Sequence, residues 1–366
     1  VTRILLVNHT PLDGSGSGTY TANLRRILTA HGHRVAVLCP ESGDMPVALP
    51  FERFPTFTGH PRSSLTYAEL RPEQLSALVE AWAANIDDAV ARFRPDIVHV
   101  QHIWIPLEAA LRSGPPVVAT CHGSEIGLLS KRAAAGDRAL ADENLPPIIC
   151  VSEYVAARLR RECAIDASRL ILLPNAYDDS LFRPRADRGM RDRRIGFVSR
   201  LVRYKRVDFF LELADRLCAV GVAREFLIVG DGPDRRRSIA LARECRGAVE
   251  FLGAVPHARM PEVYGALDVL VACAVDEPFG LTAVEAAACG TPVVVPRSGG
   301  LGELERAPHI LGFEPEDPGS AQAAVVAALS GSHAGRRARA GYIGRTYGSA
   351  RYALALNEIY DRARRH

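Results

Sequence analysis

Glu277 and Glu285 have seven residues between them, in the run Glu277-Pro-Phe-Gly-Leu-Thr-Ala-Val-Glu285. Carboxylates accept hydrogen bonds from hydroxyls, so an acid pair suits a sugar. Gly280, Leu281 and Thr282 lie between the acids, where a helix start would leave their amides free to face an anion. Sugar hydroxyls and an anion on one short stretch point to a phosphorylated sugar. The plainer alternative is a helix carrying acids in its first turns, which the helix macrodipole favours. Arg200 and Lys205 are two cations that leave a strand and enter a helix, a natural clamp for a diphosphate; structural ion pairing is the alternative. His122 follows a strand end and precedes Gly123, well placed to reach a ligand, although a lone histidine is commonly structural. His102 and Trp104 also lie beyond a strand end, where they could stack on and hydrogen-bond a sugar or equally fill the core.

The elements that must position these side chains follow from periodicity. Apolar runs at 267–272 and 292–296 enclose the loop 276–280 and a helix at 282–288, stopped by Gly290 and Pro292, so the two glutamates belong to one βαβ unit. Strands are expected at 3–8, 35–39, 96–101, 116–121, 147–151 and 170–173, and again at 194–199, 225–229 and 249–252. The first strand runs into Gly14-Ser-Gly-Ser-Gly18, whose Gly16 and Gly18 would let the backbone approach a ligand closely, before a helix at 19–31. This loop is not the dinucleotide pattern G-x-G-x-x-G. Gly230 ends strand 225–229 in a tight turn of the kind found beside a nucleotide, and Ser298-Gly-Gly-Leu-Gly302 offers further amides to a phosphate or forms a plain turn. Helices are expected at 73–93, after Ser152 as cap, at 260–267 and at 348–365. The stretch 40–71 is turn-rich and reads as a cover or a contributor to acceptor recognition, 126–144 reads as an exposed connection, and 185–194 as a linker. Strands alternating with helices on both sides of that linker make two doubly wound domains.

Composition narrows the field. A chain of 366 residues is long enough for two domains, and 48% apolar against 24% charged residues can bury two cores. With 45 basic residues nearly cancelled by 42 acidic ones, nothing compels a nucleic-acid partner. The basic clusters at 188–194, 235–237 and 336–339 read as solvated faces. Eight cysteines without a C-x-x-C pair read as small buried hydrophobes in a reducing compartment. No apolar run approaches the roughly 20 residues of a membrane span, and the sequence enters a strand directly, so a cytoplasmic protein is expected. No D-x-D follows a strand, so no metal is expected.

The stretch E-P-F-G-L-T-A-V-E-A-A-A-C-G-T-P-V-V resembles the E-x7-E signature of family 4 glycosyltransferases, retaining enzymes of the GT-B fold. Arg200-Leu-Val-Arg-Tyr-Lys205-Arg206 is similar to that family's G-R-L-x-x-x-K-G, with Arg206 in place of glycine, and Pro174-Asn-Ala-Tyr-Asp178 to its P-N-G-V-D, with Ala176 in place of glycine. The resemblance implies an α/β fold of two Rossmann-like domains facing across a cleft: an acceptor-side domain at 1–185, onto which the helix at about 348–366 packs back, and a donor-binding domain at 186–347. It also implies that Glu277 contacts the donor sugar and Glu285 the ribose, that Phe279, Gly280, Leu281 and Thr282 face sugar and diphosphate, and that Arg200 and Lys205 neutralise the diphosphate. His122 would lie near a hydroxyl of the donor sugar. The implied activity is retaining transfer from a nucleotide-diphospho-sugar, UDP-linked by preference, to a hydroxyl of a soluble acceptor such as a natural product or aminocyclitol. It would proceed by front-face attack, with no cofactor beyond the co-substrate. A non-catalytic sugar-nucleotide-binding protein and a GT-B epimerase are the rival readings.

Overall fold

The computed structural model describes residues 1–135, 145–184, 193–331 and 333–365. The linker expected at 185–194 therefore lies largely outside the described residues, as do residues 136–144 of the expected connection. The chain divides into two compact units, Val1–Ala176 with Ser349–His366, and Tyr177–Gly348.

In the first unit, β1 (Arg3–Asn8), α1 (Gly16–Ala30), β2 (Arg34–Cys39), β3 (Met45–Pro46), α2 (Pro72–Phe93), β4 (Ile97–Gln101), α3 (Ile105–Ala110), β5 (Val117–Cys121), α4 (Ile126–Ala134), β6 (Ile148–Cys150), α5 (Glu153–Cys163) and β7 (Leu170–Leu172) follow one another. The strands form one parallel sheet in the order β3-β2-β1-β4-β5-β6-β7. Every residue of β4 and β5 is buried, as continuous apolar runs in a sheet covered on both faces require. Two expectations change here. The helix after β1 begins at Gly16 rather than at 19, because Ser15 caps it by accepting from the Gly18 amide at 3.0 Å. The connection expected from 126 onward starts as helix α4, whose Ile126 and Leu129 are buried.

The second unit repeats the scheme with β8 (Arg194–Val198), α6 (Val207–Ala219), β9 (Glu225–Val229), α7 (Arg235–Ala242), β10 (Ala248–Gly253), α8 (Met260–Gly265), β11 (Val269–Val271), α9 (Leu281–Ala288), β12 (Val293–Pro296), α10 (Gly299–Gly302), β13 (Ile310–Phe313), α11 (Pro318–Leu329) and α12 (His333–Tyr347). Its parallel sheet runs β10-β9-β8-β11-β12-β13. Phe197, Phe210 and Phe226 pack in its core with Leu213 and Leu217 of α6. The division falls at 176/177 rather than 185/186. Buried Phe182 sets its ring against His257 and Tyr264, and Tyr177 donates its amide to Tyr347 O at 3.2 Å, so residues 177–184 belong with the second core.

The last helix, α13 (Ser349–Ala363), returns to the first unit. Tyr352, Leu356 and Tyr360 enter the core that holds Tyr20 and Leu24 of α1. Its tyrosines are tied by hydrogen bonds: Tyr352 to the Tyr20 hydroxyl, and Tyr360 to His99 Nδ1 at 2.7 Å, while His99 Nε2 meets Thr120 Oγ1 at 2.8 Å. All eight cysteines are free thiols, buried or half-buried.

Candidate functional site

In each sheet the strand order reverses beside the first strand of its unit: between β1 and β4, and between β8 and β11. Open α/β sheets bind ligands outside the carboxyl ends of the strands at such a switch point. Arg200 follows β8 and Glu277 follows β11, so the second unit brings its strongest sequence candidates to this point.

Lys205 Nζ meets Glu277 Oε2 at 2.5 Å, with 17% and 18% of the side chains exposed. Burial works against the Lys205 charge, but Glu277, with Tyr204 beside it, outweighs that and raises its pKa. The cation also lies 4.9 Å from the centre of the Tyr204 ring. Arg200 is half-buried in the same connection. Arg206, where the resemblance would have glycine, sits in a left-handed conformation with φ 58° and pairs with Glu316 at 2.9 Å, so the departure is absorbed by an ion pair.

The loop that carries Glu277 is held in place. The Gly300 amide donates to Glu277 O at 2.7 Å, and Ser298 Oγ donates to Asp276 Oδ1 at 2.9 Å. The glycine-rich stretch 298–302 is thus the start of α10, and the Gly300 amide is spent on bracing the neighbouring loop. Gly280 caps α9 at φ 95°, and Ala283 and Val284 donate to its carbonyl. The amides of Gly280, Leu281 and Thr282 are those a helix start leaves without partners in its own helix. Phe279 is buried against Tyr347.

Glu285 lies one helical face further in and is 4% exposed. Tyr264 donates to its Oε2 at 2.9 Å and His257 Nε2 meets its Oε1 at 3.0 Å. That hydrogen bond raises the His257 pKa against the effect of burial. Each carboxylate oxygen can accept a further bond. Gly230 sits where a Cβ would collide with Ser199 O, and its amide donates to Gly253 O at 2.8 Å; the strand ends around it require the glycine whether or not a ligand is bound.

In the first unit, Gly16 and Gly18 occupy the first turn of α1. A Cβ on Gly18 would overlap Pro11 O, whereas one on Gly16 would meet nothing within 4 Å. His122, just past β5, donates from Nε2 to Gln101 Oε1 at 3.1 Å, which leaves Nδ1 as an acceptor. Burial, with His102 beside it, lowers its pKa to about 3, so the ring is neutral. His102 is buried at φ 85° and meets Glu125 Oε2 at 3.1 Å through Nδ1. Burial would raise the Glu125 pKa, yet His102 and then His122 prevail and bring it to about 2. Glu125 also accepts the His122 amide at 3.2 Å.

Trp104 is buried under Arg132, whose guanidinium lies 5.1 Å from the ring centre. From the turn-rich stretch 40–71, Phe57 and Tyr67 reach this group: Phe57 lies 4.8 Å from His9, 5.0 Å from His102 and 6.0 Å from Trp104. His9 Nδ1, Gln101 Nε2, His102 Nε2 and Trp104 Nε1 are buried without a hydrogen-bond partner among the described residues. Buried polar groups are ordinarily paired, so these four form a concentrated polar demand at the carboxyl end of the first sheet.

Sequence reasoning missed Glu125, Gln101, His9, Tyr264 and His257. Glu125 stands three positions after His122, the spacing of a side chain that reaches back to an amide, and was within reach. Tyr264 and His257 join Glu285 only through the tertiary fold.

Two family models cover the chain almost end to end. "Glycosyltransferase Family 4" matches residues 14–181, and "Glycosyl transferases group 1" matches residues 179–346. The chain belongs to the family 4 glycosyltransferases. This glycosyltransferase is 31% identical to a 2-deoxystreptamine N-acetyl-D-glucosaminyltransferase of Streptomyces fradiae over 62% of each chain. It is 29% identical to a D-inositol 3-phosphate glycosyltransferase of Geodermatophilus obscurus over 97% of this chain and 89% of the relative. Among solved structures it resembles a sucrose-phosphate synthase from Thermosynechococcus elongatus, with a TM-score of 0.76 and 22% identity over 99% of both chains. It also resembles Anabaena HepE in complex with UDP-glucose, with a TM-score of 0.72 and 15% identity over 98% of this chain and 99% of that one. The fold is GT-B. No described helix is long and apolar enough to cross a membrane, and the described residues hold no group of three metal-ligating side chains placed to bind an ion.

Proposed function

We propose that this glycosyltransferase moves a sugar from a UDP-sugar to a hydroxyl of a soluble polyol, an aminocyclitol or related natural product, with retention at the anomeric carbon. The observation that carries the reading is the Lys205–Glu277 pair, 2.5 Å apart at the switch point of the second sheet, beside the helix start at Gly280. Such a pair holds one cation for the diphosphate and one carboxylate for the sugar in advance, so little reorganisation is needed when charge develops.

In the proposed reaction Arg200, Lys205 and the amides of Gly280 to Thr282 take the diphosphate. Glu285, oriented by Tyr264 and His257, takes the ribose hydroxyls, and Gly230 lies beside the nucleotide. The bond between the anomeric carbon and the diphosphate oxygen breaks as an acceptor hydroxyl attacks from the same face. Its proton passes to the departing phosphate oxygen, and the nucleoside diphosphate leaves. His122 binds a sugar hydroxyl rather than acting as a base, because a ring whose pKa is about 3 takes up a proton poorly. The backbone at Gly16 and Gly18 borders the donor, and the acceptor belongs with the His102 and Trp104 cluster, whose unpartnered polar atoms suit a polyol. The printed names of two relatives, which specify 2-deoxystreptamine and D-inositol 3-phosphate, support a ring polyol, and the UDP-glucose complex of HepE supports the donor.

The test is a thermal-shift panel of UDP-, GDP- and dTDP-sugars without added metal, repeated on Glu285→Ala and followed by turnover with 2-deoxystreptamine and inositol. Stabilisation by UDP-sugars that weakens in the variant, with a product whose anomeric proton in NMR shows the same anomeric configuration as the donor, is expected. Donor binding with neither transfer nor hydrolysis would establish an accessory protein, and an epimerised nucleotide sugar the epimerase.

A further inference from the structure

The basic cluster 336–339, expected to face solvent, does so only in part. Arg336 and Arg339 lie three apart on α12 and so share a face. Arg339 is 2% exposed. Its two terminal nitrogens donate to His309 O and Gly290 O, both at 3.0 Å, and its Nε is buried without a partner among the described residues. Carbonyls satisfy hydrogen bonds but do not neutralise charge. Among the described residues neither guanidinium has a carboxylate partner. Burial, and then the neighbouring Arg336, lower the Arg339 pKa to about 10. A buried charge in a folded protein is ordinarily paired.

Both arginines line a cavity of about 180 Å³, together with Asp268, Pro292 and His309. Those three residues stand just before β11, β12 and β13, so the cavity lies at the amino ends of the strands, opposite the Lys205–Glu277 pair. Asp268 is the acid in the lining, and its Oδ2 is already engaged by the Arg194 amide at 2.9 Å. Gly335 keeps the wall thin: a Cβ there would come within 3.1 Å of His309 Nε2. Sites for drug-sized ligands start at roughly 300 Å³, so a nucleotide is too large, whereas a phosphate group with a small substituent fits.

We propose that this cavity is an oxyanion site, in which Arg336 and Arg339 hold a phosphate group, free or as the ester of a small molecule. Two guanidinium groups against one occupied carboxylate leave an excess of positive charge, and a guanidinium presents paired donors that match phosphate oxygens. The site is independent of the donor site and of the transfer reaction.

The experiment uses the full chain in phosphate-free buffer at constant ionic strength. Inorganic phosphate, glucose 6-phosphate and UDP are each titrated by calorimetry and thermal shift against wild type, Arg336→Gln and Lys205→Gln. Arg336 is half-buried, and its side chain makes no hydrogen bond among the described residues, so its variant keeps the structure that Arg339→Gln would put at risk. Saturable phosphate binding is expected, about tenfold weaker in Arg336→Gln and unchanged in Lys205→Gln, with UDP showing the opposite pattern. Tighter binding of glucose 6-phosphate than of phosphate would make the ligand a monoester, and weaker binding would make it the free ion; both uphold the site. Absent saturation, equal affinity in Arg336→Gln, or a loss confined to Lys205→Gln would overturn it.

Discussion

Lys205 and Glu277 neutralise each other in the folded protein, and in the proposed reaction the same pair would serve a charged ligand. Lys205→Met should lower kcat by about 10²- to 10³-fold, the usual cost of removing one preorganised donor to a departing oxyanion. It should also leave Glu277 short of a partner, destabilising the second unit by about 1–3 kcal/mol in urea titrations. His257 offers a separate reading through pH. Its pKa is raised above the ordinary 6.5 by Glu285, so its contribution to stability is complete below about pH 6.5 and is lost as pH rises through the folded value. The melting temperature of wild type should therefore exceed that of His257→Gln most at pH 6 and below, with the gap closing towards pH 8. Equal gaps at all pH values would mean that the ring acts by packing alone.

At the level of elements, α1 separates two glycines that look alike in the sequence. Gly16→Ala adds a methyl in open space inside a helix and should be neutral or stabilising by up to about 1 kcal/mol, whereas Gly18→Ala drives one into Pro11 O and should cost about 1–3 kcal/mol. Chemical denaturation midpoints of the two variants decide this, and a Gly16→Ala enzyme that is stable but slow would locate its backbone beside the substrate. Much at this level was legible. The strands were apolar runs bounded by glycine, proline and polar residues, and Arg200, His122 and Glu277 stood out because they follow such runs. The boundaries were less so, since whether Gly16 belongs to loop or helix turns on a single hydrogen bond from Gly18 to Ser15. The partners of Glu285 were illegible. Tyr264 and His257 come from α8 and the turn before it, and no local spacing ties them to α9. Arg339 was misread for a related reason: within its own helix it is one arginine in a basic run, and only the arrival of the chain at Gly290 and His309 buries it.

For the molecule as a whole, the histidines are divided by the sign of their coupling to folding. In the first unit His9, His99 and His122 are held neutral by burial, with pKa values below 6.5. Each such group makes stability fall as pH drops below about 6.5, by about 1.4 kcal/mol per pH unit. The depressed carboxyl of Glu125 adds a further loss from about pH 4.5 downward. His257 in the second unit works in the opposite direction. Acidification should therefore unfold the first unit before the second, giving two transitions in circular dichroism and early proteolysis confined to the first unit and α13. A single coincident transition would show that the histidines do not govern the order.

The means of watching this is already present. The chain has two tryptophans, and both Trp82 and Trp104 are buried in the first unit. Tryptophan emission is thus an intrinsic optical reporter of one half of the protein, while tyrosine absorbance reports on both. Excited at the red edge, where tyrosine is dark, the native enzyme should keep its blue-shifted emission for as long as the first unit holds. On the proposed donor site, a UDP-sugar should move the melting of the half that tryptophan emission does not report.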